Sequence, residues 1–271
     1  MAFLLTAVVI GCGPGKELPD AVVRPKEVSS SAADPNGPAP AASEPAAKAV
    51  IDRALGAISG NDPTRLSKAK VAKVTYQGAV KTSPQNTDMT KASRVIETVW
   101  PSLALVADDF MGDFPNTAFY LRESQGWMRF GPKLNPETLP QVLGPVIRND
   151  LGAWHWMMLG LPLSDPKAIV FGVAKKPGGT SVKVALPDRP VYLVTFDETS
   201  GLPVKSEYHP LENQLRVRKV FVMTEHKPVA GLLLPTKIEF TQNDLVAERW
   251  SSPNWEFPES IDPARFEQPK Q

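Results

Sequence analysis

The sequence predicts an α+β chain: one large antiparallel β-sheet of about nine or ten strands, with helices laid across one of its faces. Three observations predict it. Apolar and polar residues alternate with period two in segment after segment, and short turn signals separate the segments. Apolar residues recur at helical spacing in only two places. Proline is frequent, 28 of 271 residues, which argues against long uninterrupted helices.

The elements follow in order. AAKAVIDRALGAI (46–58) carries Val50, Ile51, Ala54, Leu55 and Ile58 at helical spacing, and Gly60-Asn61-Asp62-Pro63 ends it. Val74, Tyr76, Gly78 and Val80 then alternate with Lys73, Thr75 and Gln77, which predicts a half-buried strand. Strand signals return across 95–106, where Pro101 divides Val95-Ile96 from Leu103–Val106. Residues 118–123 and 127–130 predict a hairpin closed by Ser124-Gln125-Gly126. Asn135, Pro136 and Glu137 predict the start of a short helix that Gly144-Pro145 breaks. A second helix runs through Val146, Ile147, Leu151, Trp154, Met157 and Met158, one apolar stripe to lay across the sheet. Further strands are predicted at 169–174 and 181–186 around KKPGG, and at 191–196 and 204–208 around DETSG. The last are 215–224, 234–241 and 245–250.

Ahead of this domain the texture differs. Ala2–Ile10 is an apolar run long enough for a secretory signal and too short to cross a bilayer as a helix. It ends in Val9-Ile10-Gly11-Cys12, which resembles the bacterial lipobox and places the chain's single cysteine where such proteins are acylated. The resemblance implies cleavage before Cys12 and lipidation (palmitate or a similar acyl group) of that residue, and two or three acyl chains anchor a protein firmly. Residues 13–45 hold seven prolines, and no aromatic residue lies between Phe3 and Tyr76. Such a stretch buries too little apolar surface to offset its ordering entropy, so a disordered tether spanning about 30 Å is expected. The predicted organisation is a signal peptide at 1–11, lipidated cysteine and tether at 12–45, and one domain at 46–271.

The charges, 30 basic against 29 acidic, provide no field for nucleic acid. One cysteine excludes an intramolecular disulfide and a thiolate metal cage. His155, His209 and His226 form no HExxH, and no Gly-x-Ser-x-Gly elbow occurs. GCGPGK (11–16) has the wrong spacing for a phosphate loop. Asp108, Asp109 and Asp113 in DDFMGDF read as a solvated acidic turn. Lys175-Lys176 and the Arg216, Arg218, Lys219 group read as solvated basic faces. His155, between two tryptophans, reads as a packed or rim histidine. No cofactor or metal is expected, and no catalytic residue is assigned.

Three stretches carry a wider resemblance: FDETSGLPVKSEY (196–208), GLLLPTKIEF (231–240) and IDPARFEQP (261–269). With the lipobox, the leading helix and the helix-covered sheet, they resemble the lipoprotein-sorting (Lol) carrier and receptor superfamily over roughly residues 46–269. The resemblance implies that the sheet is a curved half-barrel with the helices packed on its concave face, in a non-enzymatic envelope protein with an acyl chain or other apolar ligand between sheet and helix. The candidate ligand-binding residues are Trp127, Phe130, Trp154, Met157 and Met158, with Met128 and Trp156 beside them; the alternative for all of them is an ordinary filled core. Three functions follow: an apolar-ligand module, a scaffold lipoprotein with an envelope protein partner, and a hydrolase with an unrecognised site. The expected location is the periplasm-facing envelope. Gly13 after the cysteine, where an Asp is absent, leans toward the outer membrane.

Overall fold

The computed structural model describes residues 37–82, 88–123, 125–131, 137–139, 143–212 and 215–268. The predicted signal segment, Cys12 and the tether up to residue 36 lie outside the described residues.

Helix α1 (Pro45–Ser59) starts on a proline at its first position and ends on Gly60, whose left-handed φ of 61° suits a residue without Cβ. It buries Ala47, Ile51, Ala54 and Ile58 on one stripe. A short α2 (Pro63–Lys68) follows, capped by Asp62, whose side chain accepts the Thr64 N–H.

The strands are β1 (Val71–Val80), β2 (Thr90–Val99), β3 (Leu103–Phe110), β4 (Thr117–Arg122), β5 (Gln125–Phe130) and β6 (Glu137–Thr138). After the helices come β7 (Ile169–Lys176), β8 (Gly179–Ala185), β9 (Tyr192–Phe196) and β10 (Pro203–Tyr208). The small β11 (Leu211–Glu212) and β12 (Leu215–Arg216) precede β13 (Lys219–Val229), β14 (Leu232–Gln242) and β15 (Leu245–Glu256). Among the described residues, thirteen strands form one open sheet in the order β6-β5-β4-β3-β2-β1-β15-β14-β13-β10-β9-β8-β7, while β11 and β12 pair with each other. Every pairing is antiparallel.

That order explains the helices. The chain meanders outward from β1 to one edge at β6, then re-enters at the opposite edge, β7. The segment between must cross the sheet. It does so as α3 (Leu143–Ala153), α4 (His155–Met158) and α5 (Leu161–Ser164), whose apolar side chains pack into the main core. The predicted curved sheet with helices on its concave face is therefore borne out. The edge at β7 is partly covered: the Glu44 N–H donates to Val170 O at 2.9 Å, and Glu44 Oε2 accepts the Gly172 N–H.

Local readings differ in three places. Glu137 begins a two-residue strand on β5 instead of a helix. Gly144-Pro145 does not break a helix; both sit in the first turn of α3, where a proline's missing N–H has no intrahelical partner to lose. The predicted strand 215–224 divides at Val217-Arg218, so its first two residues join the β11–β12 hairpin and β13 starts at Lys219.

Candidate functional site

The face of the sheet under α3–α5 is set by alternation. Tyr76 on β1, Phe221 on β13, Phe240 on β14 and Trp255 on β15 all point inward and meet the helical cover. The Trp154 ring lies 5.7 Å from Tyr76 and stacks on Phe221 at 6.2 Å, and Phe221 stacks on Phe240 at 4.6 Å. His155 stacks on Trp255 at 5.5 Å, and Trp255 meets Tyr76 edge-on at 6.1 Å. Met157 and Met158 are fully buried beside this layer.

The structure thus brings Trp154, Met157 and Met158 together with Trp156. Phe130, half-buried on β5, faces the same core and contacts Phe119 at 6.5 Å. Trp127 does not join them. It alternates with the inward Met128, so it lies on the opposite face, in register with Tyr120. Cys12 lies outside the described residues.

Three polar atoms in the aromatic layer are buried without a hydrogen-bond partner: Tyr76 Oη, His155 Nδ1 and Trp255 Nε1. His155 Nε2 is 3.2 Å from Thr98 Oγ1. Burial drives the His155 pKa down to about 3 and pushes the Tyr76 hydroxyl well above its ordinary value. Both groups are neutral at physiological pH, so the layer can hydrogen-bond a neutral polar atom but offers no charge.

Two ionic clusters flank the layer. Arg94 forks onto Asp108 (Nε–Oδ1 2.6 Å, Nη2–Oδ2 2.8 Å) and reaches Glu248 Oε2 at 2.6 Å. The Trp250 indole donates to the same Glu248 oxygen at 2.8 Å, and the guanidinium lies 4.2 Å over the Trp250 ring. Burial works against the Glu248 charge, yet Arg94 holds its pKa well below the usual carboxylate range. In the second cluster, Lys219 lies 3.1 Å from both Asp150 oxygens and 2.8 Å from Glu212, and Tyr208 donates to Asp150. Burial opposes the Lys219 charge, but Asp150 and Glu212 hold its pKa above the ordinary value.

These clusters correct two readings. Asp108 is no solvated turn residue: at 3 % exposure it shares the inward phase of Val106 on β3. Lys219, at 1 % exposure, belongs to no solvated face; it starts the inward series Lys219, Phe221, Met223. His155 is packed, as its two tryptophan neighbours suggested.

No protein-family model matches the chain, and no curated protein matches it. Solved structures do. A LolA superfamily protein from Nitrosomonas europaea superposes with a TM-score of 0.53 at 11 % identity, over 82 % of this chain and 97 % of that one. A DUF1329 family protein from Desulfovibrio piger superposes with a TM-score of 0.50 at 8 % identity, over 82 % of this chain and 97 % of the other. The chain therefore has the LolA-superfamily fold. The resemblance carried by the turns at 196–208, 231–240 and 261–269 holds at the level of architecture.

Proposed function

We propose that the protein is a non-enzymatic envelope lipoprotein that holds an acyl chain or other apolar ligand between the sheet and helices α3–α5. Its anchor is a lipidated Cys12, its tether ends before Ser43 and Glu44, which hydrogen-bond to β7, and its membrane is the outer one, by the lipobox reading of the sequence. The observation that carries the ligand reading is the set of orphaned atoms on Tyr76, His155 and Trp255. A filled structural core leaves few buried donors and acceptors unsatisfied, and each costs about 1–3 kcal/mol. Three in one connected aromatic layer suit a neutral polar atom of a ligand whose apolar part lies along Trp154, Met157, Met158 and Phe130. The cover suits entry. It is three separate helices of 11, 4 and 4 residues, and its methionines adapt to irregular shapes.

Native mass spectrometry of the full chain, extracted gently from bacterial envelopes, tests this. The expected mass is protein plus a non-covalent lipid that leaves on activation. A bare protein mass under the same conditions contradicts the reading. For the anchor, Cys12→Ser is expected to release the protein from membranes; a variant that still pellets with them overturns it.

A second reading has one observation of its own. The β11–β12 hairpin exposes Leu211 (67 %) and Leu215 (70 %), while Glu212 ties it to Lys219. Two leucines presented on a short hairpin suit an envelope protein partner.

A further inference from the structure

We propose that a cleft between the β2–β3 turn, α3 and the β8–β9 loop binds a phosphate group, free or as an ester, on Arg148 and Arg189. The cleft has a volume of about 270 Å³, and its walls include Trp100, Pro101, Arg148, Leu186 and Arg189. None of its lining residues belongs to the aromatic layer, and phosphate binding there is independent of that layer's occupant.

Arg189 is built in. Its Nη1 donates to the Arg148 carbonyl at 3.0 Å and its Nη2 to the Pro101 carbonyl at 3.0 Å. The guanidinium carbon lies 5.0 Å from the Trp156 ring centroid and 5.5 Å from that of Trp100. Gly152 on α3 permits this approach: a Cβ there would fall 2.5 Å from Tyr192 Oη and 3.2 Å from Arg189 Nη1. The loop and the helix are thus fitted together around one guanidinium, in a fixed orientation.

Two donors here have no acceptor. Arg148 Nε is buried with no acceptor, and so is Trp156 Nε1 in the ring against Arg189. Among the described residues, neither Arg148 nor Arg189 forms an ion pair. Glu123, Asp165 and Asp188 also border the cleft with Lys167, yet none is paired with either arginine. Asp165 Oδ1 accepts the Lys167 backbone N–H at 2.8 Å. Burial first, and the charge of Arg189 second, hold the Arg148 pKa below its ordinary value. Arg148 and Arg189 thus line one cleft unpaired, beside Lys167, and a buried N–H of Arg148 is left to receive an acceptor. The open donors of Arg148 and the N–H groups that Arg189 has left beside its two carbonyl bonds suit the tetrahedral oxygens of phosphate, which can accept from both, better than a single carboxylate.

The test uses the full chain, with inorganic phosphate and dihexanoyl-phosphatidylglycerol as separate probes. Tryptophan fluorescence provides the readout, since Trp100 and Trp156 flank Arg189. A saturable response is expected to at least one probe. Arg148→Gln is expected to weaken that binding about tenfold or more with its melting temperature unchanged in the absence of probe. A response to phosphate identifies a free oxyanion as sufficient; a response to the lipid alone, still lost in Arg148→Gln, identifies a headgroup. Arg148→Lys keeps the charge without the fork and should bind between the two, which covers the case in which the glutamine variant does not fold. No saturable response to either probe, or equal binding by wild type and the folded variants, overturns the proposal.

Discussion

The aromatic layer and the ionic clusters beside it are equally buried but are completed differently. Around Arg94 and Lys219, opposite charges meet at hydrogen-bonding distance and the arginine fork is filled. In the layer between them, Tyr76, His155 and Trp255 make ring contacts but leave polar atoms open. A charged cluster left open in this interior would destabilise the fold by several kcal/mol. A neutral donor left open costs far less, so it can wait for a ligand. The contrast separates the charged groups that are paired from the neutral groups that are left open.

Breaking the clusters is expected to have the largest effect. Lys219→Met leaves Asp150 and Glu212 buried without their cation and should cost about 3–5 kcal/mol, read from urea denaturation. A loss under 1 kcal/mol would mean the ammonium is not what holds α3 to β13. The tyrosines sharpen the comparison. Tyr208→Phe removes a hydroxyl that donates to buried Asp150 and should cost about 1.5–3 kcal/mol. Tyr76→Phe removes an orphaned one and should be neutral or mildly stabilising in ligand-free protein. Equal losses in the two variants would erase the distinction between completed and open groups.

Acid provides a third break. His155 has a folded pKa of about 3 against an unfolded value near 6.5, so the unfolded chain binds the extra proton. Stability should therefore fall as pH drops below about 6.5, by up to about 1.4 kcal/mol per pH unit. His226, also lowered by burial, adds to the slope. Glu248 contributes stability above its unfolded value of about 4.5 that is lost only at lower pH, because its folded pKa is depressed. Between pH 6.5 and 5, His155→Phe should flatten most of the slope; an unchanged slope would show that the imidazole is not buried neutral. The smallest effect belongs to the hairpin surface. Leu211→Ser with Leu215→Ser should shift stability within about 0.5 kcal/mol, and a larger loss would mean the leucines are packed.

The sequence showed its strands clearly because alternation is a local signal, and the turns at DETSG and Asn243-Asp244 fall where expected. The helical stripe from Ile147 to Met158 was equally legible, although it is cut at Trp154, where φ and ψ leave the helical region. The buried charges were not read, yet their phase was visible. Asp150 falls at the i+3 position from Ile147, inside the apolar stripe. Arg94 shares the phase of Ala92 and Ile96, and Glu248 that of Trp250. A charge in phase with buried residues is a buried charge, whereas a count of nearby like charges, as in Arg216–Lys219, ignores phase altogether. Trp127 was misplaced for the same reason: it is one residue out of step with Met128. The Arg148–Arg189 cleft had no local signal, because it joins residues from the β2–β3 turn, α3 and the β8–β9 loop.

The most direct measurement titrates the full chain with 9,10-dibromostearate and follows tryptophan fluorescence, since bromine quenches only indoles it touches. The account predicts a saturable loss at one acyl chain per protein, reduced in Trp154→Phe. Quenching that never saturates, or that is unchanged by removing Trp154, would contradict a ligand lodged between the sheet and its helices.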